Sequence, residues 1–316
     1  MRGKSGPGRL ARVCKGKYLW IFVIALVLFS LNAEASQSIP TSNDLLVSAD
    51  WLNSHLANPD VVIIDVRPTS QFNQSHIRGA SNVSDRAMFQ RMDTYTLISP
   101  ISIARDAFTR AGISRNRTVV VYDDGEIAQA TRLFWVLEVY GHQNVYVLDG
   151  GFPAWSERNY PVENTITPHS GGFFIPVIIP ERIATKIDTR LAVDHPDVVI
   201  VDSRDEADFS GQTAKGAVAR GHIPSALNIP WRKHFQESNG PDNKLVFRPL
   251  TDLRSLYEPT SGRRVIAYCT FGNESTISYF TLRRLGRPVA IYDGSWAEWS
   301  TDQTMPRVSF AEPTSP

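Results

Sequence analysis

Cysteine is nearly absent: the 316-residue chain has two, Cys14 and Cys269. An excess of one charge is absent too, because 33 Lys and Arg offset 32 Asp and Glu to leave a formal net charge of +1. A chain so balanced has no general electrostatic pull toward nucleic acid or an anionic membrane, so neither is an expected partner. Long apolar stretches are scarce as well. The one extended run, Leu19 to Leu31 ("LWIFVIALVLFSL"), falls short of the roughly 20 apolar residues that span a bilayer.

What is present accounts for that run. Arg2, Lys4, Arg9, Arg12, Lys15 and Lys17 precede it, and small residues at Ala33 to Ala35 ("AEA") follow it. Basic, apolar and small, in that order, is the pattern of a secretory signal over residues 1–35, with an uncleaved anchor as the competing reading. The expectation is an exported, periplasmic or secreted protein. Cleavage would remove Cys14, leaving Cys269 without a disulfide partner. Exported proteins use cysteines mostly in pairs. A lone thiol in an oxidising place is either a small buried hydrophobe or a reactive group.

The remainder repeats itself. "VVIIDVR" (Val61 to Arg67) returns as "VVIVDSR" (Val198 to Arg204), and "HIRGA" (His76 to Ala80) as "HIPSA" (His222 to Ala226). "TVVVYD" (Thr118 to Asp123) returns as "RVIAYC" (Arg264 to Cys269), and "LDGGFPAW" (Leu148 to Trp155) as "YDGSWAEW" (Tyr292 to Trp299). Four matched segments in one order predict two homologous domains, 44–163 and 178–305, joined by a polar Gly/Pro linker at 164–177. Within each, β-branched runs alternate with helix-period segments. Residues 127–140 place Ala130, Leu133, Phe134, Leu137 and Val139 mostly on one face before Gly141; the counterpart runs from about Ser275 to Leu285 and stops at Gly286. Strands apolar on both faces, each followed by a helix, predict α/β domains with mostly parallel sheets covered by helices on both sides.

That pattern puts Cys269 at the carboxyl end of a parallel strand, where open α/β sheets hold their ligands. The backbone N–H groups of Thr270, Phe271, Gly272, Asn273, Glu274 and Ser275 would converge on the sulfur, Gly272 supplying a positive φ where one is needed. A cradle of N–H groups at a helix start is expected to lower the thiol's pKa and expose a nucleophilic thiolate. The first repeat has Asp123 at the same position, so it cannot carry sulfur chemistry and is expected to be structural, walling the cleft of the second.

These residues closely resemble the rhodanese family of sulfurtransferases in its two-domain form. The resemblance rests on Asp202 and Arg204 (echoed by Asp65 and Arg67), "GHIPSALNIPW" (Gly221 to Trp231), the Cys269 loop, "YDGSWAEW" and "LDGGFPAW". It implies two tandem rhodanese-like domains, the second catalytic. A donor such as thiosulfate or 3-mercaptopyruvate would hand its outer sulfur to Cys269, and the persulfide would pass it to cyanide, a thiol or a protein acceptor. No metal or organic cofactor is implied, and one cysteine cannot by itself build a zinc or iron–sulfur site. Arg204 is expected to organise its strand-to-helix loop or to set a positive field over the cleft. His222 is expected to be structural. Trp231 and Trp296 are either cleft lining or core.

The loop departs from both donor types in the family. It reads Cys-Thr-Phe-Gly-Asn-Glu, and Asp208 stands where thiosulfate-using relatives carry a basic residue. Glu274 and Asp208 should repel a dianionic donor unless Arg220 or Arg232 compensates, so weak thiosulfate:cyanide activity is expected. A persulfide-carrying or redox partner protein with little small-molecule turnover is the alternative. A cysteine phosphatase needs an arginine six residues after the cysteine, and position 275 is serine. Paired domains that bury each other's cleft walls make a monomer the expected state.

Overall fold

The structure, a computed structural model, describes residues 44–166, 171–214, 219–236 and 245–309. The expected export signal, with Cys14, lies outside the described residues. Among the described residues no helix is long and apolar enough to cross a membrane.

Each repeat folds around a five-stranded parallel sheet. In the first, strands β1 (Leu46–Val47), β2 (Val61–Asp65), β4 (Ala80–Asn82), β7 (Thr118–Tyr122) and β8 (Val145–Leu148) lie in the order β1-β8-β7-β2-β4. In the second, β10 (Ile183–Ala184), β11 (Val198–Asp202), β12 (Leu227–Asn228), β13 (Arg264–Tyr268) and β14 (Val289–Tyr292) take the matching order β10-β14-β13-β11-β12. Two small antiparallel pairs belong to the first domain: β3 (His76–Ile77) with β9 (Val162–Glu163), and the hairpin β5 (Phe89–Arg91) with β6 (Thr96–Ile98).

The central strands are apolar throughout because both faces are covered. All of β7 is buried, as is β13 from Val265 onward. After β11 the chain places β12 on one side and β13 on the other. The reversal opens a crevice between the carboxyl ends of β11 and β13, where Asp202 and Cys269 stand.

Two devices recur and hold the loops above the sheets. Asp202 takes the Arg204 guanidinium at 2.6 Å while Arg204 also donates to the carbonyl of Gly221; Asp65 and Arg67 do the same, with Ser75 as acceptor. His222 stacks on Phe209 at 3.7 Å and binds that residue's carbonyl at 2.7 Å, and His76 repeats this with Phe72. Since the first domain lacks the cysteine yet keeps both devices, they serve the fold.

The helix Ala128–Val139 departs from the one-faced expectation. Every residue from Ala130 to Val139 is buried, because the helix lies between its own sheet and the equivalent helix of the second domain, Ser275–Arg284. Phe134 meets Phe280 edge-on at 5.0 Å, and the hydroxyls of Thr131 and Thr276 touch at 2.8 Å. Glu138 accepts from Tyr279 at 2.5 Å and takes Arg283 through both oxygens. The described part of the linker follows the first domain: Gly172 and Val177 donate to Thr109 and Tyr140, and Phe174 is buried against Phe108. Both domains thus fall in one compact unit.

Removing one partner of a largely buried charge network leaves the others unpaired. Glu138→Ala should cost about 3 kcal/mol and lower Tm by roughly 5–10 °C in thermal denaturation, because Tyr279 and Arg283 lose their shared acceptor. A Tm unchanged within 1–2 °C, on the same scale, would show that the domains do not depend on this contact.

Candidate active site

Cys269 directly follows β13 and is fully buried. Its N–H donates to Ser295 Oγ at 3.3 Å, and its carbonyl accepts from the Trp296 N–H at 3.0 Å. Ser295 holds a positive φ of 54°, an uncommon state for a residue with a side chain, and its hydroxyl also donates to the Tyr292 carbonyl at 2.9 Å. The matching residue of the first domain is Gly151, at φ 57°.

The loop closes over the sulfur. The Gly272 N–H donates to Cys269 Sγ at 3.1 Å, and Gly272 has the expected positive φ, 79°. A Cβ there would stand 2.6 Å from the Asp293 carbonyl oxygen. Thr270 accepts from the Ala297 N–H at 3.0 Å, and Asn273 accepts from the Thr276 N–H and hydroxyl. Ser275 begins the following helix; its Oγ is buried without a hydrogen bond of ordinary geometry, although its N–H and hydroxyl favour negative charge on the sulfur. Phe271 is partly exposed.

The electrostatics oppose the expectation of a lowered thiol pKa. Burial, followed by the carboxylate of Glu274 beside the sulfur, pushes the Cys269 thiol up to about 12, against the contribution of Ser275. Low dielectric disfavours the charged form, and so does a nearby like charge. The resting cysteine is therefore a thiol at neutral pH. Asp123 shows the same pressure in the other repeat: burial raises its carboxyl to about 6, although it accepts from the N–H groups of Gly125 at 2.9 Å and Ala130 at 3.2 Å.

The remaining sequence-predicted residues divide. Arg204 is buried in its ion pair and lies over the rings of Tyr268 and Trp296, which makes it part of the frame. Trp296 is core, not cleft mouth: it is fully buried and donates its indole N–H to Ala219. Trp231 is half-buried, packs against the core and carries Arg232 stacked at 4.2 Å. Arg232 is mostly exposed and sits 3.8 Å from Asp205. Arg220 is exposed beside Gly221. Asp208 is buried and accepts from the Thr213 hydroxyl. His222 is held by Phe209, and burial lowers its pKa.

Sequence reasoning missed the residues that reach the loop from the first domain. Arg132, fully buried, donates from Nη1 to the Gly272 carbonyl at 3.0 Å and to Asp293 Oδ1 at 2.7 Å, and from Nη2 to the Met88 carbonyl at 3.2 Å. The rings of Phe89 and Trp135 flank its guanidinium at 4.4 and 4.5 Å. Thr96 donates to the Phe271 carbonyl at 2.7 Å, and the Ile98 N–H donates to Asp293 Oδ2. The only signal in the sequence was a charged residue inside an apolar helix, without a sign of its partner.

A thiol this raised should react with iodoacetamide at a rate that climbs about tenfold per pH unit from pH 7 to 10 without levelling. Glu274→Gln removes the neighbouring charge and should speed alkylation at pH 8 by about tenfold, the equivalent of one pKa unit. A plateau at or below pH 8 in the parent protein would contradict the raised pKa.

The rhodanese-like domain family matches residues 48–158 and again residues 186–302. A putative thiosulfate sulfurtransferase of Synechococcus elongatus is 32% identical, over 89% of this chain and 92% of its own length. The sulfur carrier protein TtuD of Thermus thermophilus is likewise 32% identical, over 81% of this chain and 93% of its own. The crystal structure of SseA, a 3-mercaptopyruvate sulfotransferase of Escherichia coli, superposes with a TM-score of 0.71 at 25% identity, covering 80% of this chain and 99% of that one. With two tandem copies of the domain, the chain belongs to the rhodanese family of sulfurtransferases.

Proposed function

We propose that the protein transfers a sulfane sulfur through a persulfide on Cys269, taking it from a small donor such as thiosulfate or 3-mercaptopyruvate. One observation supports this most: the lone cysteine of the second repeat stands at the sheet's crevice with the Gly272 N–H on its sulfur, where the first repeat has Asp123. After the thiol proton passes to solvent, the Cys269 thiolate attacks the outer sulfur of the donor. The new S–S bond forms as the outer sulfur's bond to the rest of the donor breaks. The bonding pair leaves with sulfite, or with the pyruvate enolate, which then takes a proton. A nucleophilic acceptor next attacks the terminal sulfur of the persulfide, and Cys269 recovers the S–S pair as thiolate. N–H groups fixed on the sulfur stabilise its negative charge at each stage without reorganising.

Glu274 decides among donors in this reading. Its charge opposes a dianion such as thiosulfate more than a monoanion, so 3-mercaptopyruvate is the favoured donor. A buried thiol beside a carboxylate also suits delivery to a protein acceptor, and the relative named a sulfur carrier protein supports that second reading. The basic and apolar leader supports export, with cleavage near residue 35.

Intact-mass spectrometry tests the proposal. The protein should gain about 32 Da, one sulfur atom, faster with 3-mercaptopyruvate than with thiosulfate. The adduct should be missing in Cys269→Ser and removed by cyanide. An adduct that leaves only to a protein thiol would identify a carrier, and no adduct from either donor, with Cys269 still open to alkylation, would overturn the transfer itself. Protein recovered after export should also lack the mass of its leader.

A further inference from the structure

We propose that the first domain orients the catalytic loop, and that Thr96 and Arg132 are its positioning residues. The Phe271–Gly272 peptide unit is held at both ends. Its N–H donates to Cys269 Sγ at 3.1 Å, and its carbonyl accepts from Thr96 Oγ1 at 2.7 Å, 175 residues away in the chain. A peptide plane is rigid, so anchoring the oxygen on one side fixes the N–H on the other. The next unit, Gly272–Asn273, has its carbonyl on Arg132 Nη1 at 3.0 Å.

The grip has its own support. Arg132 is pinned between Phe89 and Trp135 and paired with Asp293, whose second oxygen accepts from the Ile98 N–H of the same hairpin that carries Thr96. Gly272 is pressed against this assembly: a Cβ would lie 2.6 Å from the Asp293 carbonyl oxygen and 3.3 Å from Arg132 Nη1. Glycine at φ 79° has an accessible alternative in the mirror region of backbone space, so the loop needs an external hold to keep its N–H on the sulfur. The domain without a cysteine supplies that hold.

The kinetic consequence rests on the sulfur-transfer reading; the conformational one does not. Thr96→Val keeps the shape and removes the hydroxyl. Amide hydrogen exchange of Gly272 should then quicken by about fivefold, the loss of one hydrogen bond, and Thr96→Ser should restore protection. With an active donor, kcat should fall by a similar factor of about five, while KM stays within about twofold, since a group stabilising only the reacting charge acts on kcat. Arg132→Lys should show the same split, with the larger loss in kcat.

Arg283→Met controls for general damage to the interface. It should lower Tm by more than Thr96→Val does, yet leave Gly272 exchange and kcat near the parent values. Unchanged Gly272 exchange in Thr96→Val would overturn the proposal, as would equal impairment in Thr96→Ser or an equal effect of Arg283→Met. If no donor yields transfer, the functional reading fails, and the exchange measurement alone still decides the loop's dependence on Thr96.

Discussion

The buried ion pair between Arg132 and Asp293 is where the two halves of this molecule become one site. Each charge has left water, which is tolerable only when every neighbour is in place. Asp293 meets that condition with Arg132 and the Ile98 N–H; Arg132 meets it through its two Nη groups with two carbonyls and a carboxylate and through two aromatic faces, its buried Nε alone being left without an acceptor. A pair so enclosed admits little movement between the β5–β6 hairpin, the interface helix and the loop over Cys269. The Glu138–Arg283–Tyr279 network adds a second buried tie along the same helices.

The resulting environment for Cys269 is a contest between dielectric and dipoles. Full burial and the Glu274 carboxylate favour the neutral thiol, whereas the N–H groups of Gly272 and Ser275 favour the anion. At rest the first pair wins and the thiol stays protonated. Such a cysteine is sheltered from indiscriminate oxidation, since the thiolate is the reactive form.

The paired repeats separate what serves folding from what serves chemistry. Asp-x-Arg and the stacked histidine occur in both domains with nearly the same hydrogen bonds, and neither depends on a cysteine being present. Around the cysteine position the repeats differ: Asp123 stands against Cys269, and Gly151 against Ser295, whose hydroxyl holds the Cys269 N–H. A carboxylate occupying the first loop binds the amides that a sulfur anion would otherwise use.

Much of this was legible in the sequence because its causes are local. β-Branched runs, helix periods and Gly stops recur in order, so two parallel-sheet domains and a cysteine at the end of a central strand follow from short-range patterns. Asp123 at the matching position also set the first domain apart as the one with a carboxylate where the second has its cysteine. Two things needed the tertiary structure. The contacts of Thr96, Arg132 and Ile98 with the second domain span 175, 140 and 195 residues, and no local rule pairs residues so distant. The thiol's pKa is raised against the loop's own dipoles, because desolvation sums over everything packed around the sulfur, which no local pattern reports.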